Sequence, residues 1–238
     1  MLILSLDSTA QTASAALSEN GRFLAGTLLN IGNKHSTTLL PAVEFLLEQA
    51  GKTVRDVELF ALAAGPGSFT GVRIGAGTVK GLALGRNVPC IGVSSLEMMA
   101  ESLSFVDGIV CPMINARRDR YFTAYFSAEK GRIVRLSEDD TIDGEDIEKY
   151  LAEQNRPVYL TGDGVELFLG SHEKVGHEAV AEMLKYPFAY YAGVIAERIY
   201  EDSSEAEKAN FTADALRPVS LRQPQAEREL QERMNTQK

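Results

Sequence analysis

Three histidines, an early aspartate and one glycine-rich loop are the residues whose types and spacing bear on chemistry. The run His172-Glu173-Lys174-Val175-Gly176-His177 comes close to a zincin pattern. That pattern sets two histidines four residues apart on one helix face. Here the second histidine arrives one residue late, and Gly176 stands in its place. Five residues of helix turn through about 500°, so the two rings do not share a face. His35 has Leu39 four residues on, which is no second ligand. No metal site is expected. Ser94-Ser95 lacks the flanking glycines of a nucleophile elbow. No nucleophile–base pair is visible, and no catalytic residue is assigned.

The stretch Gly65-Pro66-Gly67-Ser68-Phe69-Thr70-Gly71-Val72-Arg73-Ile74-Gly75 is the most informative. A strand that runs through glycines into a helix can bring backbone N–H groups near a phosphate. The spacing is one residue off the dinucleotide fingerprint, and no Walker lysine follows. Asp7-Ser8-Thr9 forms the turn after the first strand. In actin-like and Hsp70-like ATPases an acidic residue there holds a metal-bound water below the phosphates. The competing reading is an ordinary Asx turn. Asp7, Ser8, Gly67 and Ser68 are the candidate nucleotide-binding residues. Beyond the loop, Gly71 and Gly75 are four apart, as are Gly77, Gly81 and Gly85. A mid-helix glycine costs about 1 kcal/mol against alanine, so several together need compensation. They pack tightly on the chain's own sheet, or they form a helix–helix interface with a partner, or both hold on different faces.

The elements that must position these residues follow from periodicity. Strands are expected over Leu2–Leu6, Ala13–Leu17 and Phe23–Leu29, with Asn20-Gly21 as a hairpin turn. A helix follows over Ser36–Ala50, its apolar face carried by Leu39, Leu40, Val43, Leu46 and Leu47. Val57–Ala64 reads as a buried strand. Ser68 is the expected N-cap of a helix reaching Gly85. Val88–Val93 is a further strand, and Ser95 the expected cap of the next helix. Fresh strands then appear at Ile109–Ile114, Tyr121–Ser127 and Arg132–Leu136. After them come a helix over Glu145–Gln154, a strand over Val158–Thr161 with Gly162-Asp163-Gly164, and a helix over Phe188–Tyr200. Strand hairpins first and helices later, twice over, suggest a duplicated two-lobe architecture. The expected lobes are 1–103 and 104–222, with a charged, Gln-rich tail over 223–238.

The chain has 238 residues, 45% of them hydrophobic and 24% charged, which fits a globular protein with a sizeable core. No run approaches the roughly 20 apolar residues of a membrane span, and no secretory signal is visible. Cys90 and Cys111 sit in strand-like runs and read as buried reduced thiols, which points to the cytoplasm. The net charge of −9 disfavours a protein that grips nucleic acid alone. The basic clusters are short: Arg117, Arg118 and Arg120, then Arg217 and Arg222.

The Gly65–Gly75 block resembles the hallmark loop of the TsaB (YeaZ) family. The resemblance continues through Leu4-Ser5-Leu6-Asp7-Ser8-Thr9, His35-Ser36, Gly92-Val93-Ser94-Ser95-Leu96-Glu97, Ala116-Arg117-Arg118, Gly162-Asp163-Gly164 and Pro218-Val219-Ser220-Leu221-Arg222. It covers most of the chain, in order. Position 115 is Asn where the family often has Asp, and Ser220 stands where an aromatic is usual. The resemblance implies an α/β, two-lobed actin-like/Hsp70-like ATPase fold (ASKHA, ribonuclease H-like) with mixed sheets and a reduced second lobe. It implies a non-catalytic subunit that docks the catalytic paralogue TsaD and the ATPase TsaE. The complex transfers threonylcarbamoyl to N6 of the adenosine beside the tRNA anticodon. The docking residues are expected among His35, Leu39, Val43, Gly67, Phe69, Thr70, Arg73, Ile74, Gly75, Gly77, Lys80 and Gly81. No intrinsic cofactor is expected, with ATP or ADP only at a composite interface. tRNA is met only through the complex, and the chain alone forms a homodimer. The alternative is a stand-alone nucleotide-binding ATPase or a peptidase.

Overall fold

The computed structural model describes residues 1–32, 34–172, 176–178 and 180–221. Arg222, the tail over 223–238 and the segment Glu173-Lys174-Val175 lie outside the described residues.

The first sheet opens with the antiparallel meander β1 (Leu2–Asp7), β2 (Ala13–Glu19) and β3 (Arg22–Leu29). The β2–β3 turn uses Asn20 and Gly21, both at positive φ, as the Asn-Gly pair requires. Helix α1 (His35–Gln49) then crosses to β4 (Leu59–Gly65), which lies parallel to β1. Helix α2 (Phe69–Ala83) crosses to β5 (Cys90–Ser94), giving the order β3-β2-β1-β4-β5. Side chains alternate along each strand. Leu2, Leu4 and Leu6 join α1 and α2 in one core, while Ile3 joins Ala192, Ile195 and Ala196 in another on the opposite face.

Helix α3 (Ser95–Glu101) leads to the second sheet. Its strands are β6 (Gly108–Asn115), β7 (Arg120–Thr123), β8 (Phe126–Glu129), β9 (Arg132–Arg135), β10 (Asp140–Asp143) and, after α4 (Gly144–Ala152), β11 (Val158–Thr161). Strands β7 and β8 lie on one edge of β6 in a single register, with Met113 opposite Thr123 and Val110 opposite Phe126. The strand expected over Tyr121–Ser127 is therefore one ribbon, broken at Ala124–Tyr125. Pro112, which has no N–H to give, faces the break. Strands β9 and β10 extend the meander, and β11 runs parallel to β6. The second sheet thus repeats the first, meander then parallel crossover, without a counterpart of β5. The α/β class with mixed sheets expected from the sequence is the one observed.

Short helices α5 (Val165–Ser171) and α7 (Glu205–Lys208) and strand β10 were not foreseen. Helix α6 (Tyr190–Asp202) begins two residues later than expected. It packs on the first sheet and not on the second, so residue 103 does not bound the material of the first half. Gly193 allows this close approach, because a Cβ there would strike Ser5 Oγ. Helix α3 packs on both sheets, through Met98 on one side and Leu96, Met99 and Ala100 on the other. An ionic chain reinforces the junction: Arg135 meets Glu97 at 3.0 Å and Asp139 at 2.6 Å, and Ser94 Oγ donates to Asp139 at 2.6 Å.

Candidate functional site: helix α2 and the turns it covers

Helix α2 starts where the sequence places it. Ser68 is the N-cap, its Oγ accepting from Gly71 N at 3.3 Å. The next cap is Ser94 and not Ser95: Ser94 Oγ accepts from Glu97 N at 3.1 Å, while Ser95 Oγ donates to the Pro66 carbonyl. Strand β5 ends at Ser94, so the residue that leaves the extended conformation carries the cap.

The glycines divide into two faces. A Cβ at Gly67 would fall on Thr9 O, one at Gly71 on Ser8 O, and one at Gly75 2.8 Å from Ser8 Oγ. These three let the loop and helix close on the turn after β1. A Cβ at Gly77 or Gly81 would meet nothing within 4 Å. Of the residues expected at the surface, Phe69, Thr70, Arg73, Gly77 and Gly81 are exposed and Lys80 is half-buried. Arg73 lies over the Phe69 ring, its Cζ 3.3 Å from the centroid. Ile74 is half-buried against the core.

Four of the proposed docking residues face inward. His35, Leu39 and Val43 are only 5%, 1% and 1% exposed, and Gly75 is buried. Their helical spacing reports the core-facing stripe of α1 and α2, which periodicity cannot distinguish from a partner-facing stripe. His35 Nε2 bonds the Ala10 carbonyl at 3.0 Å, which anchors the start of α1 to the turn region. The apolar residues that α1 does expose are Leu40 and Phe45; α2 adds Phe69, and its C-cap adds Leu84. The two helices pack side by side.

The turn beneath α2 is an Asx turn. Asp7 Oδ1 accepts from Thr9 N at 3.0 Å and from Thr9 Oγ1 at 2.6 Å. Asp7 Oδ2 is buried with no partner. Burial pushes the Asp7 carboxyl up to about 6; the Thr9 bonds resist this, and the charge of Asp163 adds to it. Several donors of the loop are already paired. Ser68 N donates to Thr9 O at 2.6 Å, Ser8 Oγ to Gly71 O at 2.8 Å, and Gly71 N to Ser68 Oγ. Asp7, Ser8 and Ser68 thus lie in one hydrogen-bonded knot that leaves a single buried carboxylate oxygen, Asp7 Oδ2, without a partner. The C-terminal motif closes the same loop from outside: Val219 N donates to Ala64 O at 2.7 Å, and a Cβ at Gly65 would fall on Val219 O.

The turn after β6 is built alike. Glycines 162 and 164 close on the end of β6, where a Cβ at Gly162 would strike Met113 O. Asp163 Oδ1 accepts from Asn115 N at 3.2 Å, and burial raises its pKa. A cavity of about 440 Å³ beside it is lined, among the described residues, by Asp163, Glu166, Leu167, Gly170 and Ser171. Arg117, Arg118 and Asp119 all adopt positive φ, at 68°, 57° and 53°. Arg117 N donates to Asn115 Oδ1 at 2.7 Å, and Asp119 is held by His172, which sequence reasoning treated only as a failed metal ligand. Its Nδ1 stands 3.0 Å from Glu148 Oε2 and its Nε2 3.1 Å from Asp119 Oδ2, and its ring stacks on Phe168. Burial disfavours the charged ring, but the two carboxylates outweigh it and hold the pKa above the ordinary value. No sequence signal could reveal this bracket, since its carboxylates come from positions 24 and 53 residues away.

Among the described residues no group of three or more His, Cys, Asp or Glu is arranged to hold a metal ion. Both thiols are free and buried, and burial pushes Cys90 up to about 11 and Cys111 up to about 12. Among the described residues no helix is long and apolar enough to cross a membrane.

Comparison with known proteins gives a consistent picture. The family described as "TsaD: tRNA N6-adenosine threonylcarbamoyltransferase" matches residues 30–162, more than half of the chain. The tRNA threonylcarbamoyladenosine biosynthesis protein TsaB of Bacillus subtilis is 32% identical over 70% of this chain and 73% of its own length. The Escherichia coli protein of the same name is 35% identical over 60% of this chain and 62% of its own length. Among solved structures, YeaZ from Pseudomonas aeruginosa superposes with a TM-score of 0.76 at 27% identity, covering 92% of this chain and 98% of that one.

Proposed function

The chain belongs to the TsaB (YeaZ) family, which serves tRNA threonylcarbamoyladenosine biosynthesis, and on that premise we propose that it is the non-catalytic subunit that docks a TsaD-type transferase. One observation carries the reading. Gly77 and Gly81 stand on the outer face of α2 with nothing within 4 Å, beside exposed Phe69, Thr70, Arg73 and Leu84. Glycines without a close neighbour in their own chain keep only the cost of helix glycine. A second helix laid against them would recover that cost through close backbone approach. Leu40 and Phe45 of the adjoining α1 extend the apolar surface. The docking set is thus Leu40, Phe45, Phe69, Thr70, Arg73, Gly77, Lys80, Gly81 and Leu84.

Support for a non-catalytic role lies in His35, whose ring is buried and bonded to a backbone carbonyl. We assign ATP or ADP to the composite interface, where Arg73 and Lys80 are the nearest cations of α2, and tRNA contact and a TsaE-type ATPase to the assembled complex. The compartment is the cytoplasm, where thiols such as Cys90 and Cys111 stay reduced. In the absence of a transferase the same apolar surface pairs two copies of the chain.

The test is the light-scattering mass of the chain alone and mixed with its cognate TsaD-type protein. A mixed complex that Gly77→Leu and Gly81→Leu abolish, while both variants unfold at no lower temperature than the parent, is the expected result. A complex unchanged in two folded variants would overturn the docking surface. ATP hydrolysis by the chain alone, lost in Asp7→Ala, would overturn the non-catalytic role.

A further inference from the structure

Helices α1 and α2 lie side by side, yet they carry opposite charges. The acids of α1 are Glu44 and Glu48, and it has no lysine or arginine. The cations of α2 are Arg73 and Lys80, and it has no acid. At about 100° per residue, Glu44 and Glu48 fall between Leu40 and Phe45, the apolar residues that α1 exposes. By the same count Arg73 and Lys80 fall between Phe69 and Gly77 on the outer side of α2. Both sets of charges therefore stand within the docking surface and not behind it.

Among the described residues none of the four has an ion-pair partner. The arrangement is unfavourable within the chain itself. Glu44 and Glu48 are four residues apart, so like charges face each other across one turn. Glu48 also stands in the last turn of α1, where the helix end is negative and no base offsets it. Opposite charge lies on the neighbouring helix, but it is not used.

We propose that this segregation fixes how the TsaD-type partner docks: it sets basic side chains against α1 and acidic ones against α2. The inference rests on the docking surface proposed above and adds the charge pattern of its occupant. A chain of net charge −9 repels a second copy of itself at long range, so a different chain with the opposite signs at these two places matches the surface better. Such charges steer encounter and fix register more than they add affinity. A partner turned half around would meet like charge on both helices, which rejects that orientation.

The experiment measures the association rate of the full chain with its cognate TsaD-type protein, without nucleotide, from low to high salt. The parent's rate should rise as salt falls. The paired reversals Glu44→Lys with Glu48→Lys, and Arg73→Glu with Lys80→Glu, should each slow association about tenfold at low salt. Glu44→Gln with Glu48→Gln, which removes charge and keeps shape, should fall between parent and reversal. All variants should approach the parent's rate at high salt, where the charges are screened. Steering by net charge alone would move the two reversals in opposite directions, because one makes the chain more positive and the other more negative by the same amount. Opposite shifts, or unchanged rates in both, would overturn the proposal. So would a reversal that stays equally slow at high salt, since shape would then be the cause. Gly77→Leu keeps the two readings apart. If it abolishes the complex while the reversals change nothing, the docking surface stands and the charge pattern falls. If it leaves the complex intact, the docking reading itself fails.

Discussion

The turns that follow β1 and β6 occupy matching places in a repeated plan, yet they are held by different forces. Both sit at the end of the first strand of a sheet, and both are closed by glycines that follow the parallel strand, β4 or β11. After β1 the closure is steric and made by uncharged hydrogen bonds: Gly67 and Gly71 let backbone meet backbone, Gly75 admits Ser8 Oγ, and the one carboxylate there is buried half-satisfied. After β6 the glycines are joined by ions, with His172 bracketed between Glu148 and Asp119, the last of three residues at positive φ. Left-handed backbone at a non-glycine residue costs of order 1 kcal/mol or more and needs such external support. The first turn is fixed by the shape of residues adjacent in the fold, and the second by charges brought from far along the chain.

The largest break in this comparison should come from Gly71. A Cβ there lands on a backbone oxygen that cannot rotate away, so Gly71→Ala should destabilise by about 3 kcal/mol or more, read from denaturant unfolding. The same change at Gly81, on the open face of that helix, serves as its control.

Next in size is Asp7. Its folded pKa of about 6 lies above the unfolded value near 3.8, so its contribution favours folding at low pH and is lost as pH rises through 6. A shift of about two units amounts to about 3 kcal/mol between pH 4 and 8. Asp7→Asn should remove that slope, and stability measured across this range would show it. A parent and variant with parallel pH profiles would contradict the buried, half-satisfied carboxylate.

His172 should respond in the same direction for the opposite reason. Its charged form is the one the fold prefers, through Glu148 and Asp119. The stability it adds is complete below its unfolded pKa of about 6.5 and is lost as pH rises through the higher folded value. His172→Ala should cost about 1–2 kcal/mol at pH 6, less at pH 9. Amide exchange should quicken over residues 117–120 and stay unchanged over residues 7–9. Faster exchange in both turns would mean that the two are not held independently.

The smallest effect is the reversed sign at the helix surface. Gly77→Ala and Gly81→Ala should stabilise the isolated chain by up to about 1 kcal/mol each, since alanine is the better helix former and meets no neighbour. Thermal unfolding checks it, and a loss of stability at either position would show that the outer face is not open.

Much of this protein could be read from its sequence, for local reasons. Strand alternation, the Asn20-Gly21 hairpin, the Ser68 cap and the Gly65–Gly75 loop are short-range features whose physics is contained within a few residues. They determined the first meander, part of the second, the crossover helices and the family. Tertiary structure alone decided which face of each stripe is buried, because a 3.6-residue period looks the same whether it meets the chain's own sheet or a partner. Thus His35, Leu39, Val43 and Gly75 turned inward while Gly77 and Gly81 stayed open. It also returned α6 to the first sheet, against the order of the chain. And it assembled the groups with unusual ionisation, Asp7 near Asp163 and His172 between its two carboxylates. Desolvation and charge proximity depend on distance in space, and a sequence records only distance along the chain.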